Sequence, residues 1–161
     1  MAKEPKKPEK MEWSDLEKEV KKVLEELKLS NKMTYYRWPD SKMAGNYIKQ
    51  APADFLVHFR GDSLFIECKF SSVADSLTQC FANVDSHQLA TAYMERRAGG
   101  SYWILFASAT SNHYEVWSGT LLHTIRSNGK RISHNFRELV TSDLLEAVWF
   151  MLKNKSFKEE G

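Results

Sequence analysis

An α/β sandwich, a central mixed β-sheet flanked by helices, is the fold class this sequence predicts. Three observations carry the prediction. Apolar strand-like runs recur at Phe55–Phe59, Leu64–Cys68 and Tyr102–Ala107. Amphipathic stretches of helical period lie before, between and after them. The resulting order is helix, strand, hairpin, helix, two strands, helix, which packs as helices against one sheet. Length agrees, since 161 residues suit one domain with a sizeable core, and 42% hydrophobic with 27% charged residues is an ordinary globular composition.

Residues 1–12 are rich in Lys, Glu and Pro and read as a disordered charged tail. Ser14-Asp15-Leu16-Glu17 has the form of a capping box, opening a helix to about Leu29 with Leu16, Val20, Val23, Leu24 and Leu27 as its apolar stripe. Glu17 adjoins that stripe, so it either completes the cap or points toward the edge of the core. Thr34–Trp38 is a strand stopped before Pro39, and Asp40 to Gln50 is a polar loop. Phe70 to Val84 has little periodicity. Asp85-Ser86-His87-Gln88 opens a helix to about Arg97, with Leu89, Ala92 and Tyr93 on its apolar side and Gly99-Gly100 ending it. Tyr102–Ala107 and Tyr114–Trp117 are strands, and Thr120–Arg126 is a short helix. A final helix runs from near Ser142 to near Lys153, with Leu144, Leu145, Val148 and Met151 inward. One domain over 13–155 and a C-terminal tail over 156–161 follow.

Several classes are excluded as expectations. No apolar run is long enough to span a membrane, and the charged N-terminus lacks a signal-peptide core. Two cysteines, Cys68 and Cys80, are too few for a disulfide scaffold or a zinc site, so an intracellular, reducing location is the default. Net charge is only +2, but between Arg96 and Arg137 the sole acid is Glu115, against Arg96, Arg97, Arg126, Lys130, Arg131 and Arg137. Such a stretch either forms a phosphate-attracting surface or is an ordinary solvated one.

The chemistry concentrates in Ala51–Ser71. Arg60-Gly61-Asp62-Ser63 separates two apolar runs and signals a hairpin. With Gly61 and Asp62 as the loop, Asp54 lies opposite Lys69 and Leu56 opposite Glu67. Opposed residues share a face, so Asp54, Glu67 and Lys69 project together, and a one-residue register shift would separate Asp54 from the others. Asp54 and Glu67 supply hard oxygens suited to Mg²⁺, with Mn²⁺ expected to substitute. A metal there activates water and offsets charge on a phosphate, with Lys69 as a cationic helper. The alternative is a surface hairpin whose charges do nothing.

Pro52-Ala53-Asp54, a twelve-residue spacer and Glu67-Cys68-Lys69 together resemble the core of the PD-(D/E)XK nuclease motif, although Ala53 separates the Pro from the Asp. Leu16-Glu17-Lys18-Glu19-Val20, the Arg37–Ser41 segment, Ala53-Asp54 and Ile66-Glu67-Cys68-Lys69 look like the archaeal Holliday junction resolvases. Asn83-Val84-Asp85-Ser86-His87-Gln88-Leu89 with Gly99-Gly100 is similar to the bacterial RecU resolvases. The resemblance implies a restriction-endonuclease-like fold, a Mg²⁺-dependent endonuclease and a homodimer that nicks four-way DNA junctions symmetrically. It implies catalytic roles for Glu17, Asp54, Glu67, Lys69 and Gln88, with Asp54 and Glu67 as metal ligands and a Ser, matched by approximate position to Ser41, assisting. Gln88 also fits a capping box with Asp85. The bacterial stalk is replaced by the short Asp40–Gln50 loop, which points to a compact form such as a phage would encode. Arg37, Ser41, Lys42, Lys130 and Arg131 are the candidate nucleic-acid contacts, chosen by charge and position. Competing readings are a nuclease for flaps, nicked or linear DNA, and a non-cleaving DNA-binding module.

Overall fold

A computed structural model of the chain describes residues 13–30, 32–38, 51–71, 81–108 and 112–156. The charged tail over 1–12, the Asp40–Gln50 loop with Ser41 and Lys42, and Cys80 lie outside the described residues.

Six strands form one sheet whose spatial order equals chain order. They are β1 (Met33–Arg37), β2 (Phe55–Phe59), β3 (Asp62–Ser71), β4 (Ser101–Ser108), β5 (Tyr114–Ser118) and β6 (Leu139–Thr141). Only β3 and β4 pair in parallel, and the other neighbours are antiparallel. A parallel pair needs a crossover, and the one here contains helix α2 (Ser86–Arg97). The other helices with described bounds are α1 (Trp13–Ser30), α3 (Gly119–Ser127) and α4 (Leu144–Lys153). The expected α/β sandwich around a mixed sheet is therefore the fold observed.

Alternation along the strands divides the core into two layers. On one face, Leu64, Ile66 and Cys68 of β3 join Phe55, Val57, Trp103 and Leu105 under α1 and α4. On the other, Phe65 joins Tyr102, Ile104, Phe106 and Trp117 under α2 and α3. A strand buried on both faces reads as a continuous apolar run, which is what Leu64-Phe65-Ile66 is. Gly119 lets α3 approach closely, because a Cβ there would stand 2.7 Å from a Tyr102 ring carbon and 3.0 Å from the Ala92 Cβ.

Several expectations need correction. The hairpin loop is Arg60-Gly61, with φ of 50° and 85°, rather than Gly61-Asp62. Both central residues take positive φ, as a type I′ turn requires, with Gly second. Phe59 then pairs with Asp62, Leu56 with Phe65 and Phe55 with Ile66. Sliding the loop by one position moves every pair by two, so each side chain keeps its face. Both registers bury the same residues, and only turn geometry separates them. Second, α1 already includes Trp13, so Ser14 lies inside the helix and is not its N-cap. Third, Leu145 and Tyr93, expected inward, are exposed at 40% and 42%. Fourth, β6 and a 3₁₀ turn at His134–Phe136 had no counterpart in the sequence reading. Each spans three residues, too few for a periodic signal. Ser156, first residue of the stretch read as a tail, is buried: its hydroxyl accepts from the Tyr102 N–H and its N–H donates to Ser101.

Candidate active site

One step beyond the Phe55–Ile66 pair, Asp54 comes opposite Glu67 rather than Lys69. Both carboxylates project from the face that α2 covers. Asp54 is fixed by its backbone and its side chain. Its carbonyl accepts from the Trp38 N–H at 3.1 Å, and its Oδ2 accepts from the Cys68 N–H at 2.8 Å. The preceding turn is anchored from below, where the Tyr102 hydroxyl donates to the Pro52 carbonyl at 2.5 Å.

Glu67 is buried, and its Oε1 accepts from Gln88 Nε2 at 2.7 Å and lies 3.3 Å from Lys69 Nζ. Gln88 serves both of its expected uses at once. Its Oε1 accepts from the Asp85 N–H at 3.1 Å, closing the start of α2, while its amide nitrogen holds Glu67. The cap thus aims the amide at the carboxylate. Arg126 of α3 supports the same segment by donating to the carbonyls of Val84 at 2.8 Å and Phe81 at 2.9 Å.

Burial disfavours the charged form of both acids. The Asp54 carboxyl is pushed up to about 8, first by burial, then by the charges of Glu67 and Glu17. Glu67 is also raised by burial, against the opposing pull of Lys69 and the Gln88 hydrogen bond. Both acids therefore favour their neutral forms in the metal-free chain, and a bound cation would offset the cost of ionising them. Among the described residues no group of three His, Cys, Asp or Glu side chains is placed to hold a metal ion. The carboxylates brought together on this face are those of Asp54 and Glu67. That set fits Mg²⁺, which commonly binds through one or two carboxylates and keeps several waters. The Cys68 thiol, raised well above its ordinary value by burial, packs on the opposite face and has no reactive character.

Glu17 does not cap its helix. Its carboxylate pairs with Arg37 at 2.7 Å at the edge of the sheet, near enough to Asp54 to raise its pKa. Arg37 is thus engaged with Glu17 rather than standing alone. Lys130 and Arg131 are exposed just beyond α3, whose last turn meets the segment leading into α2. The basic stretch from Arg96 to Arg137 does not form one patch. Arg126 serves backbone carbonyls, Arg137 pairs with buried Glu115 at 2.6 Å, and Arg96 and Arg97 lie at the end of α2 away from Gln88. His87 lies 3.3 Å from the Ala51 carbonyl, to which its Nε2–H donates. Tyr102 and Trp38 were missed as parts of the site. Their link to Pro52 and Asp54 depends on strand register across segments far apart in sequence.

No family model matches the chain, and no curated protein matches it. Among solved structures, it is similar to the Holliday junction resolvase Hjc of Archaeoglobus fulgidus, with 12% identity and a TM-score of 0.41 over 63% of this chain and 74% of that one. A likeness that loose adds nothing to the geometry above.

Proposed function

We propose that this chain is a Mg²⁺-dependent DNA endonuclease that acts on four-way junctions as a homodimer. The observation that carries the reading is the Asp54–Glu67 pair, with Glu67 buried, Asp54 half-buried and raised to about 8, and Lys69 3.3 Å from Glu67 on the same face. An arrangement that unfavourable without a cation is what a metal-dependent phosphodiesterase needs. Asp54 and Glu67 would hold the ion. Bound there, Mg²⁺ would supply an acidified water and offset charge on the phosphate. The chain's own residues do the rest. Gln88 fixes the Glu67 carboxylate through Oε1, so the pair keeps one geometry. Lys69, largely shielded from solvent, stabilises charge that develops on the phosphoryl oxygens. Glu17 adds negative charge at the rim, and its pairing with Arg37 places a guanidinium beside the site for a DNA phosphate.

The homodimer follows from the substrate. Resolving a junction requires two opposed nicks, and closed two-fold symmetry is the commonest way to link two sites. The test is incubation with a labelled four-way junction, a linear duplex and a single strand, in Mg²⁺ or EDTA. Wild type should nick in Mg²⁺ alone, while folded Asp54→Asn and Glu67→Gln should not. Equal nicking by either variant removes the carboxylates from the mechanism.

A further inference from the structure

Among the described residues, the helical cover of the active-site face stops partway across the sheet. Helices α2 and α3 pack on β4 and β5. Over β1 and β2 the same face carries Thr34, Tyr36 and His58, all exposed among the described residues. Asp54 sits at the boundary between the covered and open halves.

That open half is aromatic in an ordered way. Tyr36 pairs with Leu56, Leu56 with Phe65, and Phe65 with Tyr102, so these four share one face across four strands. Trp38 stands two residues after Tyr36 and therefore on the same face. Its ring lies 5.9 Å from Phe65 at 27°, and Phe65 lies 5.8 Å from Tyr102 at 28°. Tyr36 meets Trp38 edge-on at 5.3 Å and is 55% exposed. Two stacked rings, Phe65 and Tyr102, thus hold Trp38 from beneath, and Trp38 holds Tyr36 at the surface. The Trp38 N–H is bonded to the Asp54 carbonyl, so this row ends directly at the carboxylate pair.

We propose that Tyr36, backed by Trp38, is a stacking platform for an unpaired nucleobase of the DNA flanking the phosphate at Asp54 and Glu67. The inference rests on the nuclease reading for the position of the phosphate, and it adds the element that selects unpaired DNA. The occupant follows from chemistry and distance. Flat rings in a braced row favour a π-face over a flexible aliphatic chain, and every base offers one. Two residues along a strand span ~7 Å, about two base steps of 3.4 Å, so Tyr36 lies within a nucleotide or two of the reacting phosphate. A base in an intact duplex has both faces occupied by its neighbours. Only a base released at an exchange point or frayed end can reach Tyr36, and this gives branched DNA its advantage over linear duplex.

The experiment uses the full chain in EDTA, where the proposed chemistry is silent, with a four-way junction carrying 2-aminopurine at the exchange point. Anisotropy gives the affinity, and 2-aminopurine fluorescence reports stacking. Wild type and Tyr36→Phe should bind alike and change the fluorescence alike. Tyr36→Leu should lose the fluorescence change and bind roughly 5- to 100-fold more weakly. Its affinity for a fully paired linear duplex should stay within about twofold of wild type. Tyr36 is exposed, so melting should be nearly unchanged in both variants. Equal losses in Tyr36→Phe and Tyr36→Leu, a Tyr36→Leu variant that matches wild type on the junction, or a wild type that binds no junction would each overturn the platform. A parallel reaction in Mg²⁺ separates the two readings. Cleavage with no effect of Tyr36→Leu leaves the nuclease and removes the platform, whereas a Tyr36-dependent fluorescence change without cleavage keeps the platform and removes the nuclease.

Discussion

Asp54→Asn should stabilise the metal-free protein at alkaline pH while it abolishes cleavage. The folded Asp54 carboxyl titrates at about 8, above the ordinary value of 3.8. Between those values the folded chain binds more protons than the unfolded chain, so stability falls as pH rises through the window. The cost is complete above about pH 8. From pH 5 to about pH 8 there are three decades at about 1.4 kcal/mol each, a cost on the order of 4 kcal/mol. Asn does not titrate, and its side-chain oxygen can still accept from the Cys68 N–H. The assay is chemical or thermal unfolding of both proteins in EDTA at pH 5 and pH 9. The variant's advantage should grow by about 4 kcal/mol between the two, or ~8–16 °C in Tm for a chain of this size. An advantage that does not change with pH, or a variant less stable than wild type at pH 9, would refute the electrostatic account of the pair.

Mg²⁺ should raise the Tm of wild type at pH 8, because a ligand that binds only the folded chain stabilises it by mass action. The rise should vanish in Glu67→Gln, and a shift preserved there would move the metal elsewhere. Lys69→Ala should lower single-turnover cleavage by orders of magnitude with junction affinity nearly kept, since the ammonium is assigned to charge present in the transition state. The opposite pattern would assign Lys69 to docking. Neutralising Lys130 and Arg131 together should weaken junction binding and flatten the slope of log affinity against log salt by roughly 1–2. An unchanged slope would take both residues out of the interface.

The periodic parts of the chain were legible because periodicity reports burial. Leu16, Val20, Leu24 and Leu27 are buried as their spacing predicts, and the apolar run through β3 is the doubly covered centre of the sheet. The shared face of Asp54, Glu67 and Lys69 was also legible, because strand alternation survives a slide of the turn by one position. The turn itself was misread: Gly61 serves as the second central residue, preceded by Arg60, and not as the first. Glu17 illustrates a different gap. A Ser-x-x-Glu spacing fits a cap as well as it fits a partner for Arg37, and only the start of α1 at Trp13 separates them. Arg126 and Arg137 looked like surface cations in sequence. Their carbonyl and carboxylate partners are contributed by elements 22 to 45 residues away. The row from Tyr36 through Trp38 to Phe65 was hidden for the same reason, since it exists only across the pairing of β1, β2 and β3.

The central claim is that the Asp54–Glu67 pair serves two symmetric nicks in one junction. The most direct measurement maps nicks on all four labelled strands of a synthetic junction in Mg²⁺, with sedimentation of the same complex. The account predicts paired nicks on opposed strands, two chains per junction, no nicking in EDTA and none by Asp54→Asn. A monomer that cuts linear duplex as readily as the junction would contradict the junction reading and leave the metal chemistry, and nicking that persists in Asp54→Asn would contradict both.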